Sequence, residues 1–567
     1  MINVYDFEVY KYDWLVVIIN PLERTKSVIV NDPDKLREYY NRHRSQIFVG
    51  YNSREYDSYI FKGIILGFNP KEISDFIIKE EKKGWQFSTL LKDVTLYDYD
   101  VMPNPPIGLK TLEGFMGNNI KETDVPFDID RKLTTSEIQQ TIEYCTHDVE
   151  QTAEIFLQRK SDFDAQMSLI KMFNLPLTAI SKTESRLVAD ILDCKWKNYG
   201  DEWDLSVLPC VKLKKYAHVA QWFLDPKNHD YSSSLTIDIA GVPHTFGWGG
   251  LHGAPNKPIH RKGLILHVDV NSYYPSILIY WNLISRSARH PERYREIYFN
   301  RLELKRQGKK KEQKPHKLML NALSGAMKDR YNSAYDPRNN NLMCINGQLM
   351  LLDLLEKLEG HCEIIQSNTD GLIIQIEDSD EAFETIDDIC YEWEQRTKMG
   401  LALDTISEIY QKDVNNYVWI EPDGKVERKG AYIKELNDLD YDLPIINEAL
   451  LNYMTKHIPV EVTINQCDDL RKFQKIVKLS DKYEKVIHNG KKYDYKCYRV
   501  FASKVQTDGS IYKCKTIHGQ EKRDKFGNTP ERCFIQNDDI KKADVPNYLD
   551  RDWYIELSRK RLEQYGL

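Results

Sequence analysis

Apolar and polar positions alternate from the start of the chain. The opening segment reads as a buried strand, with Asp6 and Glu8, two residues apart, on one face. A second apolar pair, Ile47-Phe48, runs into Val49-Gly50-Tyr51-Asn52-Ser53-Arg54-Glu55-Tyr56-Asp57. In Glu143-Tyr144-Cys145-Thr146-His147-Asp148 the spacing is helical, so Tyr144 and Asp148 share a face at i and i+4. Leu264-Ile265-Leu266-His267-Val268 predicts a buried strand that Asp269 ends, and Pro275 suits the first turn of a following helix. Lys317, Asn321, Ser324 and Lys328 recur at helical spacing. Two β runs, Glu363-Ile364-Ile365-Gln366 and Leu372-Ile373-Ile374-Gln375-Ile376, flank Asn368-Thr369-Asp370-Gly371, a strong hairpin signal. Strands and helices in this mixture predict an α+β chain of several domains.

Composition narrows the class. A length of 567 residues with 41 % hydrophobic content suits two to four folded units. No charged leader precedes an apolar core, and no apolar run approaches the roughly 18 residues of a membrane span. Ten scattered cysteines without paired C-x-x-C spacing favour reduced thiols over disulfides or zinc. Together these predict a soluble cytoplasmic protein with no membrane partner. There are no internal repeats and no low-complexity tract.

The net charge of −7 argues against nucleic acid only at the level of the whole chain, because binding follows the local field. Arg301 through Lys317 is densely basic and leads directly into the Lys317 helix. A second basic stretch, Lys513 to Arg532, suits duplex phosphates.

Three pieces, in order, fit one chemistry: Asp269 after an apolar strand, Lys317 on a helix, and Asp370 at a hairpin tip. Two carboxylates sharing a pair of divalent ions, with a lysine for phosphates, are what nucleotidyl transfer requires. Asp6, Glu8, Asp57 and Asp148 form a second set of acids that can converge with Tyr144.

The ordered set resembles the family B DNA polymerases, in the compact form carried by tailed bacteriophages. The resemblance implies a ribonuclease H-like 3′→5′ exonuclease domain and a right-hand polymerase of palm, fingers and thumb. Its implied boundaries are 1–168 for the exonuclease, 169–284 for a linker and the first part of the palm, 285–340 for the fingers, 341–440 for the rest of the palm and 441–567 for the thumb. Asp6, Glu8 and Asp148 would hold two Mg²⁺ or Mn²⁺ ions, with Asp57 supporting one through water. Tyr144 would orient the attacking water, and Asn52 and Tyr56 would hold the frayed 3′ end. Lys121 falls where relatives carry a catalytic lysine.

In the polymerase half the resemblance assigns metal binding to Asp269, Val270 and Asp370, again with two Mg²⁺ or Mn²⁺ ions. Tyr274 would block a ribose 2′-OH, while Lys305, Lys317 and Asn321 would receive the nucleotide. Trp248, Gly249 and Gly250 would meet the template, with Phe246 or Trp248 supplying the aromatic face that the family's usual tyrosine, replaced by Gly247, would give. Lys429 and Tyr432 would grip the primer. The implied partners are primer–template DNA and deoxynucleoside triphosphates, for a monomer working in a bacterial host cell; the sequence identifies no accessory protein.

Several positions depart from the family. Val9 stands where a small hydroxyl residue follows the D-x-E pair, Ala322 and Ser324 replace a serine and a tyrosine, and Asn368 replaces the first acid of Asp-Thr-Asp. Motifs that begin at residue 6 leave no room for the amino-terminal domain of the large enzymes. Only 47 residues separate Asp269 from Lys317, and the interval from Gly325 to Asn368 is also short. Both fall short of the insertions that serve protein priming and strand displacement. The expected activity is therefore primer extension with proofreading. Two alternatives stand beside it: an exonuclease or DNA-binding protein with a decayed polymerase site, and a self-priming primase-polymerase.

Overall fold

The computed structural model describes residues 2–567 as an α+β chain in two units. The first comprises residues 2–182, 436–445 and 464–554; the second comprises 183–435, 446–463 and 555–567.

The first unit is built on a five-stranded sheet: β1 (Ile2–Val9), β2 (Trp14–Asn20), β3 (Thr25–Val30), β4 (Ile47–Gly50) and β5 (Tyr97–Asp100). Its order is β3-β2-β1-β4-β5, with β1, β2 and β3 antiparallel and β4 and β5 parallel to β1. The alternation along β1 sorts its two faces. Tyr5, Phe7 and Val9 join a core with Trp14, Val16, Phe48 and Phe61. Asp6 and Glu8 face the opposite way, toward the Thr135–Gln158 helix, whose Cys145 Sγ lies 3.4 Å from the Asp6 carbonyl. That helix starts where it does because Thr134 caps it. The Thr134 hydroxyl accepts the Glu137 N–H, and the Glu137 carboxylate accepts the Thr134 N–H at 2.8 Å, an arrangement worth about 1 kcal/mol.

Two smaller sheets complete this unit. One pairs Lys475–Lys478, Cys497–Ala502 and Cys533–Ile535; the other pairs Lys491–Tyr493, Lys485–His488, Ile511–Ile517 and Gln520–Lys525. Arg499, fully buried on the central strand of the first, ties that sheet to the Leu109–Met116 helix. It donates to the carbonyls of Asn118 (2.8 Å) and Gly114 (3.2 Å) and to Gln474 Oε1 (3.1 Å). Burial pushes its guanidinium down to about 10, so these acceptors are what make a buried cation tolerable here.

Asp98 on β5 is also buried, accepting from the Tyr5 hydroxyl at 2.9 Å and the Ser53 hydroxyl at 3.1 Å. Burial, then the neighbouring Asp100, raises it to about 7. Between the ordinary aspartate pKa and about 7 the folded state holds a proton that the unfolded chain has lost. Stability therefore falls as pH rises through that window. Asp98→Asn should raise the melting temperature at pH 8 by about a few degrees, with the gain shrinking toward pH 4. Melting curves of both proteins across that range check this; a variant less stable at pH 8 would contradict it.

The second unit carries a nine-stranded antiparallel sheet: β6 (Ser234–Ile239), β7 (Val242–Gly247), β8 (His252–Gly253), β9 (Ile259–Val270), β10 (Glu363–Asn368), β11 (Gly371–Gln375), β12 (Leu401–Asp413), β13 (Asn416–Ile420) and β14 (Val426–Lys429). The order is β14-β13-β12-β9-β11-β10-β8-β7-β6. The central strand β9 has Asp269 opposite Gly371 on one side and Ala402 on the other. The hairpin expected around Asp370 is present, with Thr369 at φ +37° in its turn. The Pro291–Arg306 and Lys310–Lys328 helices form an antiparallel pair joined through Gly308 at φ +71°. The Pro337–Leu358 helix is buried along most of its length. Gly347 on it allows close approach: a Cβ there would stand 3.2 Å from Ile277 and 3.4 Å from Tyr274.

The expected boundaries shift in two places. The first unit runs to residue 182 rather than 168. The segment 441–567, expected as one thumb, is divided between the units, because its three-stranded sheet packs with residues 109–122 through Arg499 and Glu122. Among the described residues no helix is long and apolar enough to cross a membrane.

Candidate active sites

Each unit holds a cluster of carboxylates. In the first, Asp6 and Glu8 come from β1, Asp57 from the first turn of the Asp57–Leu66 helix, and Asp148 from the Thr135–Gln158 helix. Asp57 is fixed by the strand itself, its Oδ1 accepting the Phe7 N–H at 3.2 Å between the two β1 acids. Burial and then Asp148 raise Asp6 to about 7. Glu8 and Asp57 are raised by burial and by their acidic neighbours as well. Four convergent acids with raised affinity for protons form a hard-oxygen site that divalent cations fit.

Within this cluster the ligand atoms fall into two groups. Asp6 and Glu8 group with Cys145, while Asp148 groups with Glu113 and His147. Lys110 accounts for the division. Its Nζ lies 2.5 Å from Asp148 and 3.0 Å from Glu113, and 4.7 Å from the centre of the Tyr144 ring. Burial opposes the Lys110 charge, but Asp148 and Glu113 outweigh it and raise its pKa. Tyr144 is raised by burial and then by Asp148, to which its hydroxyl bonds.

Lys110, not Lys121, is therefore the lysine beside these acids. Lys121 is exposed and reaches Glu113 only through its backbone N–H. Glu113 and His147 went unnoticed in the sequence. The available signal was the i, i+3 pair Lys110/Glu113 on the short helix after the Pro-rich loop following β5. Asn52 is exposed, at φ +57°, with its N–H on Asp100 Oδ1 at 2.9 Å. Tyr56 is half-buried: its ring packs against the aromatic core and its hydroxyl donates to Ser74 at 2.9 Å.

In the second unit, pairing of β9 with β11 brings Asp269 and Asp370 together, and the Val270 N–H donates to the Asp370 carbonyl at 2.8 Å. Both line a cavity of about 230 Å³ with Asn368, Tyr417 and Lys429. Burial, then Asp370, raises Asp269 to about 6, while Lys305 and Lys317 pull the other way. Burial also raises Asp370, against opposing contributions that include Lys429 and Lys317. Two facing carboxylates, both raised chiefly by burial, form an oxygen-donor pair that divalent cations suit.

Ser272, at φ +50°, turns the chain between Asp269 and the Tyr273–Tyr280 helix. Lys305 Nζ reaches Asn271 Oδ1 at 3.1 Å, and Arg301, one helical turn earlier, donates to the Ser272 hydroxyl. Arg301 had been read only as part of a basic run. Lys317 and Asn321 are exposed on one face of their helix, and Ser324 is held by Asn340 at 2.9 Å.

Tyr274 donates its hydroxyl to the Gly249 carbonyl at 2.9 Å, and a Cβ on Gly250 would stand 3.0 Å from Thr369. The glycine pair thus packs on both the tyrosine and the hairpin turn. Trp248, expected to meet DNA, is buried with Trp203, Phe223 and His229, and its indole N–H donates to the Asn228 carbonyl. Phe246 is buried too, so neither residue presents an aromatic face. Tyr432 is occupied by Arg561, whose guanidinium lies 3.9 Å from the ring centre and bonds the hydroxyl at 2.8 Å.

No family model matches the sequence, and no curated protein does. Among solved structures, the family B DNA polymerase of the hyperthermophilic archaeon Pyrobaculum calidifontis is similar over 100 % of this chain and 77 % of its own. The identity is 14 % and the TM-score 0.41.

Proposed function

We propose that this chain is a DNA-directed DNA polymerase of the family B type with a 3′→5′ proofreading exonuclease, serving the replication of a phage genome. The observation that carries the reading is the register of β9 and β11, which sets Asp269 beside Asp370 while Lys305, Lys317 and Arg301 supply cations next to them. In this reading the nine-stranded sheet is the palm and the Pro291–Arg306 and Lys310–Lys328 helices are the fingers. The β3-β2-β1-β4-β5 sheet with its acids supports a ribonuclease H-like exonuclease.

Asp269 and Asp370 would hold two Mg²⁺ or Mn²⁺ ions in the polymerase, and Asp6, Glu8 and Asp148 would hold two in the exonuclease. Such ions, when bound, acidify an attacking hydroxyl or water and neutralise charge on the leaving oxygen. The protein's own groups do the rest. Lys305, Lys317 and Arg301 draw the triphosphate toward Asp269 by charge and hydrogen bonding. Lys429, in the cavity with both acids, holds the primer phosphate. Tyr144, beside Lys110 and Asp148, orients the water that attacks a terminal phosphodiester.

Tyr274, braced by the Gly249 carbonyl, stands where a ribose 2′-OH would enter. Tyr274→Ala should raise ribonucleotide incorporation about tenfold or more, while Tyr274→Phe, which keeps the ring, should preserve discrimination. Competition between ribo- and deoxynucleotides in single additions measures this; an unchanged preference in the alanine variant would move the gate elsewhere.

The deciding assay is extension of an annealed primer with deoxynucleotides and Mg²⁺, with and without the primer. Degradation of single strands without any extension would instead favour the decayed-polymerase alternative that Asn368, Ala322 and Ser324 raise.

A further inference from the structure

Apart from the acidic clusters, the second unit contains an open groove of about 620 Å³ lined by Trp196, Asn198, Arg330, Tyr331, Ser333 and Tyr335. Three of these six are aromatic, one is a cation and none is an acid. Trp196 is 56 % exposed and Tyr331 74 %, which is unusual for rings of this size. Both contributing segments interleave cations with rings: Lys195-Trp196-Lys197-Asn198-Tyr199 and Lys328-Asp329-Arg330-Tyr331.

The rings are held in place. The Trp196 indole N–H donates to the Arg330 carbonyl at 2.9 Å, joining the two segments. Arg330 lies 4.7 Å from the Tyr331 ring centre and donates to its hydroxyl at 2.6 Å. Below them Asn332 is buried, donating to the Ser185 carbonyl at 3.0 Å. Among the described residues Arg330 has no carboxylate within ion-pair distance, and the Asp329 carboxylate is turned back onto the Tyr331 N–H. Lys197 lies over the Tyr199 ring. The groove thus combines fixed aromatic faces with one cation, Arg330, that has no acidic partner among the described residues.

Single-stranded nucleic acid is the ligand class this composition fits. Every base has a π-face to stack, and the phosphates answer the cation without base-specific hydrogen bonds. Position indicates which strand. Arg330 and Tyr331 follow directly on the Lys310–Lys328 helix, and Lys317 lies 11 residues before its end, roughly 16 Å along the axis. We propose that this groove binds the unpaired stretch of the template strand, stacking its bases on Trp196 and Tyr331 while Arg330 holds the backbone. The proposal rests on the reading of the chain as acting on primer–template DNA.

The test uses the full chain and two fluorescein-labelled primer–template duplexes. One carries a long thymidine 5′ overhang on the template, the other a single-nucleotide overhang. Trp196→Ala with Tyr331→Ala should weaken binding of the long-overhang duplex about tenfold or more and leave the short-overhang duplex unchanged. Trp196→Phe with Tyr331→Phe keeps two stacking faces and should retain most of the affinity. Arg330→Gln should reduce the salt dependence of long-overhang binding by about one ion. Tyr331→Ala alone, at the most exposed position, guards against a folding defect in the double variant. An unchanged overhang preference in the alanine pair, or equal weakening of both duplexes, would overturn the groove assignment while leaving the polymerase reading intact. Failure of the unsubstituted chain to bind either duplex would overturn both.

Discussion

Asp370→Ala is expected to slow single-turnover nucleotide addition by roughly a thousandfold or more, whereas Asn368→Ala should slow it closer to tenfold. The two residues lie at one hairpin tip and line the same cavity, yet they differ in kind. Asp370 faces Asp269 and, after burial, is the largest cause that raises its proton affinity. A carboxylate that helps hold a metal ion supplies several kcal/mol of transition-state stabilisation, and its loss removes that in full. Asn368 carries no charge. It ends β10 opposite Gly371 and bonds weakly to the Thr369 hydroxyl at 3.4 Å. Losing such a partner costs about 1–2 kcal/mol. Rapid-quench measurement at saturating Mg²⁺ compares the two; equal losses, or an active Asp370→Ala, would mean that the hairpin's role has been misassigned.

The second large effect is expected in the other unit. Asp6→Ala with Glu8→Ala should abolish degradation of single-stranded DNA and leave primer extension nearly intact, because Asp269 and Asp370 belong to a different folded unit. The same variant has a signature independent of activity. Asp6 and Glu8 are buried beside Asp148, and burial and like charge raise both. Without metal, removing them should therefore raise the melting temperature at pH 8, where the unfolded chain gains most by ionising them. Adding Mn²⁺ should raise the melting temperature of the unsubstituted chain and have little effect on the variant. Loss of extension in the variant would sink the assignment of separate activities.

Much of this was legible along the chain where chemistry coincided with local periodicity. The D-x-E pair on one face of β1, the hairpin around Asp370 and the shared face of Lys317 and Asn321 all follow from periods of two or 3.6. What stayed hidden depends on long-range packing. Trp248 looked like an exposed ring beside flexible glycines, but Trp203 and His229, far from it in the fold's linear order, enclose it. Tyr56 reads locally as a platform beside Asp57; its packing against the aromatic core and its bond to Ser74 have no local sign. Lys110 could not be told from other surface lysines until the Thr135–Gln158 helix brought Asp148 to it. The division of 441–567 has no local signature at all, since it rests on acceptors such as the Asn118 carbonyl.

That last feature sets a timetable for synthesis. The carbonyls that receive Arg499 are made early, and Arg499 itself emerges 381 residues after Asn118. At translation rates of about 5–20 residues per second, the delay is roughly 20–75 s. During that interval the Leu109–Met116 helix lacks the groups that later cover it, and the whole second-unit sheet is made in between. Folding of the first unit on the ribosome is thus a two-act process whose second act waits for the chain's final fifth.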